Sequence, residues 1–117
     1  LTSISQMHAL KVLEKLTRNK NLEEARLPVV VSATDLKSGK RVILSSGSAA
    51  RAIYASAAIA GVFSPLKQDG YILVDGAYSD FAPVDVARKQ NIKKVITIDA
   101  SQPMAVPGVK NGFQALM

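Results

Sequence analysis

An α/β sandwich is the fold this sequence predicts, and three observations predict it. Stretches with helical spacing alternate with short apolar runs, so that strand, helix, strand, helix, strand follow a first helix. Two of those runs, Val29-Val30-Val31 and Val95-Ile96-Thr97-Ile98, are rich in β-branched residues and do not alternate with polar ones. That is the pattern of strands buried on both faces, and the second is expected to be parallel. Polar turns bearing glycine punctuate the chain at Ser38-Gly39 and Asp69-Gly70.

The elements follow in order. Ile4, Met7, Leu10, Leu13 and Leu16 recur every three to four residues, which predicts a helix over 4–18 capped by Ser3 or Ser5. Asn19-Lys20-Asn21 ends it, and residues 22–26 add a helical turn. Residues 29–34 form a strand after Pro28, and Arg41-Val42-Ile43-Leu44 returns as its hairpin partner. Ser45, Ser46 and Ser48 offer caps for an alanine-rich helix over 49–60 that closes at Gly61. Its face of Ala52, Ala55, Ser56 and Ile59 is small enough for close approach to a sheet. Tyr71-Ile72-Leu73-Val74 is a strand, and residues 84–90 are a short helix with Pro83 near its first turn. Residues 94–99 are the last strand, residues 101–112 a loop, and Gln114-Ala115-Leu116-Met117 reads as the start of another helix.

Composition removes several function classes. The 117 residues are 48% hydrophobic and 21% charged, an ordinary globular mix. There is no cysteine, hence no disulfide and no thiolate ligand or nucleophile, and one histidine, His8, makes no multi-His metal cluster. No apolar run reaches the roughly 18 residues of a membrane-spanning helix. The net charge of +6 is spread along the chain and aromatics are only 5%, which argues against a nucleic-acid surface. No phosphate loop, dinucleotide fingerprint, calcium loop or G-x-S-x-G elbow occurs, and no cofactor is implied.

Carboxylates carry what chemistry the chain offers. Asp35, Asp75, Asp80 and Asp99 are the candidates, and Asp35, Asp75 and Asp99 each follow an apolar strand run, where open α/β sheets bind ligands. Asp75 stands out. Asp75-Gly76 could close a hairpin, but irregular Ala77-Tyr78-Ser79-Asp80-Phe81-Ala82-Pro83 follows, with no returning apolar strand. A carboxylate on a glycine-kinked loop beyond a strand is placed to act as a base. Lys37, Lys40 and Arg41 cluster on one turn and are candidates for an anionic membrane surface.

Four strings resemble bacterial patatin-like phospholipases. Leu27-Pro28-Val29-Val30-Val31-Ser32-Ala33-Thr34-Asp35-Leu36, with Ser38-Gly39, resembles the family's P-x-x-x-x-A-T-D-L-x-x-G segment. Residues 52–65 resemble its A-I-x-A-S-x-A-x-P-x-x-F-x-P helix. Val74-Asp75-Gly76-Ala77 resembles its D-G-[GA] motif, and Pro83-Val84 with Ala87-Arg88 the segment after it. The family often has Pro where Ala60 stands, and Asn-x-Pro where this chain has Phe81-Ala82-Pro83 preceded by Asp80. Either Asp80 takes over that asparagine's place in holding the Asp75 loop, or the loop is held in another way.

The resemblance implies a three-layer α/β/α acyl hydrolase with a Ser–Asp dyad, acting on phospholipids or other acyl esters. Asp75 is then the base, supported by Gly76, whose freedom to turn sharply would aim it, and by Ala77. Burial would raise the carboxyl from its ordinary value near 3.9 toward the range a base needs. Tyr78, Phe81 and Phe63 either belong to the core or meet an acyl chain. Serine and oxyanion loop precede Leu1 in the family's order, so the chain reads as the C-terminal part of one domain, inactive alone. Such a part exposes a strand edge or face, for which its N-terminal half, a second copy or another partner is expected. The alternative is a non-catalytic membrane- or partner-binding module with the same fold.

Overall fold

The computed structural model describes residues 3–100. Helix α1 spans Ile4–Leu16, and Ser3 caps it by accepting a bond from Gln6 N at 3.1 Å. Its buried stripe is Gln6, Ala9, Leu10 and Leu13, rotated from the predicted one. Ile4, Met7 and Leu16 are exposed, because only one flank of the helix meets α2. Arg18 and Asn19 end the helix in left-handed conformation, and residues Leu22–Glu24 make one 3-10 turn.

Strands β1 (Val31–Asp35), β2 (Arg41–Leu44), β3 (Leu66–Gln68) and β4 (Tyr71–Asp75) form one sheet in the order β2-β1-β4-β3. Every pairing is antiparallel. The β1–β2 hairpin is as expected. Strand β3 was not expected: three residues are too short to show periodicity, and Asp69-Gly70 proves to be its hairpin turn, both residues at positive φ (51° and 80°).

Helix α2 (Ala49–Ser56), capped by Ser48, packs on β1, β3 and β4 and ends four residues before the predicted end. Ala52 and Ala55 are buried, and Ala55 meets Ala33 of β1 within a core completed by Tyr54, Ala58, Leu66 and Leu73. Ile59 is exposed, since the chain has left the helix before reaching it. The small residues let helix and sheet approach closely, and α1 lies over α2. Tyr54 spans this core and donates from its hydroxyl to the Ser64 carbonyl at 2.8 Å. Tyr54→Phe is expected to cost about 1 to 2 kcal/mol in chemical denaturation, because a partly buried carbonyl loses its donor while the ring packing stays. A change below about 0.3 kcal/mol would show that water replaces the bond.

The other sheet face carries Ser32, Thr34, Arg41 and Val74, and to it are tied a 3-10 turn, Gly76–Tyr78, and helix α3, Val84–Arg88. Two expectations need correction. Val29 and Val30 precede β1 and are 41% and 40% exposed, so the strand is shorter than its valine run. Residues 94–98 form no strand, and Ile96 and Ile98 are 89% and 90% exposed. Strand propensity needs a ladder partner to be realised, and this segment instead runs beside Phe81, Pro83, Val84 and Ala87. The predicted loop over 101–112 and the helix start at 114–117 lie outside the described residues.

Candidate active site

Asp75 is the last residue of β4, paired in register with Ala33 of β1. Among the described residues no strand follows it, so the hairpin alternative fails. The chain instead winds directly into the 3-10 turn, and Asp75 is its cap: Oδ1 accepts from Ala77 N at 2.9 Å. Oδ2 has no hydrogen-bond partner among the described residues. The side chain is half-buried.

The backbone of Asp75 is fixed on both sides. Its N–H donates to Ala58 O at 3.0 Å, and its carbonyl accepts from Thr34 Oγ1 at 2.8 Å. Thr34 Oγ1 also pairs with Ser79 Oγ at 2.8 Å. Tyr78 Oη accepts from Ala60 N at 3.1 Å, a bond that proline at position 60 would lack. Thus β1 and the segment after α2 together set the loop's path.

Gly76 is required for a reason other than turning. It has no positive φ; a Cβ there would stand 2.5 Å from Ser32 O and 2.9 Å from Ser32 C, in the β1 backbone. Only a hydrogen fits between the turn and the strand. Ala77 is exposed and contributes the N–H that holds the carboxylate.

The other candidates separate. Asp35 is buried and fully engaged: it accepts from Ser38 Oγ at 2.7 Å, Ser38 N at 3.1 Å, Ile72 N at 3.2 Å and Lys37 N at 3.4 Å. Its carboxyl is held below the usual carboxylate range, first by the Ser38 hydroxyl. It organises the β1–β2 turn. His8 is exposed on α1. Lys37 and Lys40 are exposed, with Lys37 Nζ 3.4 Å from Gly70 O. Arg41 is not a free cation: Nη1 reaches Asp80 Oδ2 at 2.5 Å, and Nη1 and Nη2 each reach a different oxygen of Asp85 at 2.7 Å. Phe63 meets Tyr54 edge to face, with centroids 6.3 Å apart, whereas Tyr78 and Phe81 are 56% and 71% exposed and do not belong to the core. Among the described residues no group of three or more His, Asp or Glu is placed to hold a metal ion.

Thr34, Ser79 and Asp85 entered the site only with the structure, whereas the sequence already offered Asp80 as a holder of the Asp75 loop. Thr34 was legible in principle, since strand alternation places it on the face opposite Asp35.

The Arg41 guanidinium holds the Asp85 carboxyl down at about 2, against about 3.9 in an unfolded chain. A depressed folded value means that this contribution is complete above about pH 4 and is lost as pH falls from about 4 toward about 2. Asp35 adds to the same acid limb. The melting temperature is expected to fall through that window, and Asp85→Asn to flatten the fall without abolishing it. An unchanged acid limb in Asp85→Asn would contradict the pairing.

A turn-held carboxylate at a strand's carboxyl end, beneath a helix of small residues, places the chain among α/β proteins with a candidate acid–base site. The family follows from comparison. A model described as Patatin-like phospholipase matches residues 3–88. The chain belongs to the patatin-like phospholipase family, a family of lipid hydrolases. It is 31% identical over 81 residues to lysophospholipase NTE1 of Cryptococcus neoformans var. neoformans serotype D, covering 69% of this chain. It is 33% identical over 89 residues, 74% of the chain, to patatin-like phospholipase domain-containing protein 7 of Mus musculus, and equally to domain-containing protein 6 of Homo sapiens. The chain spans 5%, 7% and 6% of the lengths of these three relatives. No helix among the described residues is long and apolar enough to cross a membrane.

Proposed function

We propose that this chain is the C-terminal part of a patatin-like acyl hydrolase domain and supplies the general base, Asp75, to a serine carried by upstream residues. The observation that carries this reading is the Asp75 carboxylate. Its backbone is fixed from two sides, its Oδ1 is held by its own turn, and its Oδ2 is left for a proton. In the reaction, the serine hydroxyl proton passes to Asp75 as the serine oxygen attacks the acyl carbon. The leaving alcohol takes that proton, and water then repeats the cycle on the acyl-enzyme. Substrates of the phospholipid or lysophospholipid class are supported by the names of the relatives.

The surface of the chain supports its being part of a larger domain. A groove is lined by Leu22, Leu27, Val29, Val30, Val86 and Ile92. Beyond it Ile96 and Ile98 lie open to solvent. The upstream half of the domain is the occupant proposed for this face, and a second copy of the chain is the other candidate.

The test uses the intact protein and the hydrolysis of lysophosphatidylcholine. Asp75→Asn is expected to lower turnover about a thousandfold, while Asp35→Asn retains it in the fraction that folds. Turnover retained in Asp75→Asn would reject the assignment. No hydrolysis by the unmodified protein would favour the non-catalytic module.

A further inference from the structure

We propose that Arg41 is a positioning residue for the Asp75 carboxylate, acting as a clamp on the far end of the loop that carries it. The proposal rests on Asp75 as the base, argued above. Thr34 and Arg41 are register partners across β1 and β2, so their side chains leave the same face of the sheet. Together they hold successive parts of one loop. Thr34 binds its start, at the Asp75 carbonyl and the Ser79 hydroxyl. Arg41 binds its end, at Asp80 and at both oxygens of Asp85.

The carboxylate inherits its aim from what lies between. It accepts from Ala77 N, inside the 3-10 turn, and bonds to no side chain among the described residues. The turn's course therefore decides where Oδ2 points. Asp80 ends that turn by donating its N–H to Gly76 O at 3.0 Å, and its Oδ1 accepts from Ala82 N at 3.1 Å before Pro83. Release of Asp80 would free the turn at its C-terminal end, leaving Thr34 and the Tyr78–Ala60 bond to hold the rest.

The chemistry suits arginine. A planar guanidinium can engage one carboxylate with two parallel bonds while reaching a second, which an ammonium cannot reproduce. The side chains of Arg41 and Asp80 are only 26% and 28% exposed, so this pair is screened less than a surface pair. The clamp also answers how the loop is held where the family commonly has an asparagine: by Asp80 acting through Arg41. It withdraws Arg41 from the Lys37–Lys40 turn as a membrane contact.

The test is made on the intact protein with p-nitrophenyl butyrate, alongside amide hydrogen exchange. Arg41→Met is expected to lower kcat roughly ten- to a hundredfold with KM within about twofold, the penalty of a misplaced reacting group. Amides of residues 77–82 should exchange at least about tenfold faster, while those of Ala55 and Leu73 keep their rates. Arg41→Lys should recover only part of kcat. The Asp80→Asn, Asp85→Asn double variant should match Arg41→Met, and combining all three changes should add nothing. Unchanged kcat and loop exchange in Arg41→Met would overturn the proposal. So would a kcat loss that persists in full on the double-variant background, or faster exchange at Ala55 and Leu73 to the same degree as in the loop. Wild-type turnover in Asp75→Asn would remove the base assignment itself, and loop exchange alone would then decide the clamp.

Discussion

Asp75→Asn is expected to lower kcat of the intact protein by about a thousandfold, within the range a positioned general base contributes. The substitution is nearly silent structurally. An asparagine oxygen still accepts from Ala77 N, and the Thr34 and Ala58 bonds to the backbone of residue 75 do not involve the side chain. The turn therefore keeps its shape, and only the proton acceptor is lost. KM should stay within a few fold and the melting temperature within about a degree, since a surface-accessible change of this kind moves stability by less than about 0.5 kcal/mol. Asp35→Asn supplies the contrast. Its carboxylate accepts three hydrogen bonds within the β1–β2 turn and a fourth from Ile72 of β4, so its loss should appear in stability and leave the chemistry of folded molecules intact. Equal effects on kcat from the two variants would show that Asp75 has no special part in proton transfer.

Gly76→Ala should be the most damaging small substitution in the chain, at about 2 to 3 kcal/mol, the upper range for forcing a methyl into a packed site. The added carbon would stand 2.5 Å and 2.9 Å from the carbonyl oxygen and carbon of Ser32. Those atoms belong to β1, which is paired on both sides, to β2 and to β4, and cannot yield as a flexible side chain does. If the turn moves instead, Asp75 moves with it. A loss of kcat beyond the loss of folded protein is the expected signature. Gly39→Ala is the comparison: nothing lies within 4 Å, so its cost comes only from φ +69°, about 1 kcal/mol. Chemical denaturation of the three proteins decides the matter. Gly76→Ala within about 0.5 kcal/mol of the parent would mean that the turn and β1 are not packed as described.

The local elements were legible because they rest on local rules. Ser3 and Ser48 cap α1 and α2 as their positions before helical runs predict. The β1–β2 hairpin follows from two apolar runs about a glycine turn, and Asp75 was singled out because no apolar strand follows Asp75-Gly76. The failures share a cause. The face that α1 buries depends on where α2 lies, and Gln6 displaced Ile4 and Met7 from it. The run over 94–98 has strand propensity but no neighbouring strand among the described residues, so its isoleucines stay exposed.

The sequence by itself determined the family, most helices, three of the four strands of the sheet and the carboxylate at the end of the last of them. Each is written in contiguous residues whose spacing and turn chemistry act over a few positions. The tertiary structure decided the rest: Gly76 against Ser32, Thr34 on the Asp75 backbone, and Arg41 turned from an apparent surface cation into the partner of Asp80 and Asp85. These contacts join residues about forty positions apart in the chain. No local pattern encodes them, because they arise only when sheet register brings two strands and a loop to one face.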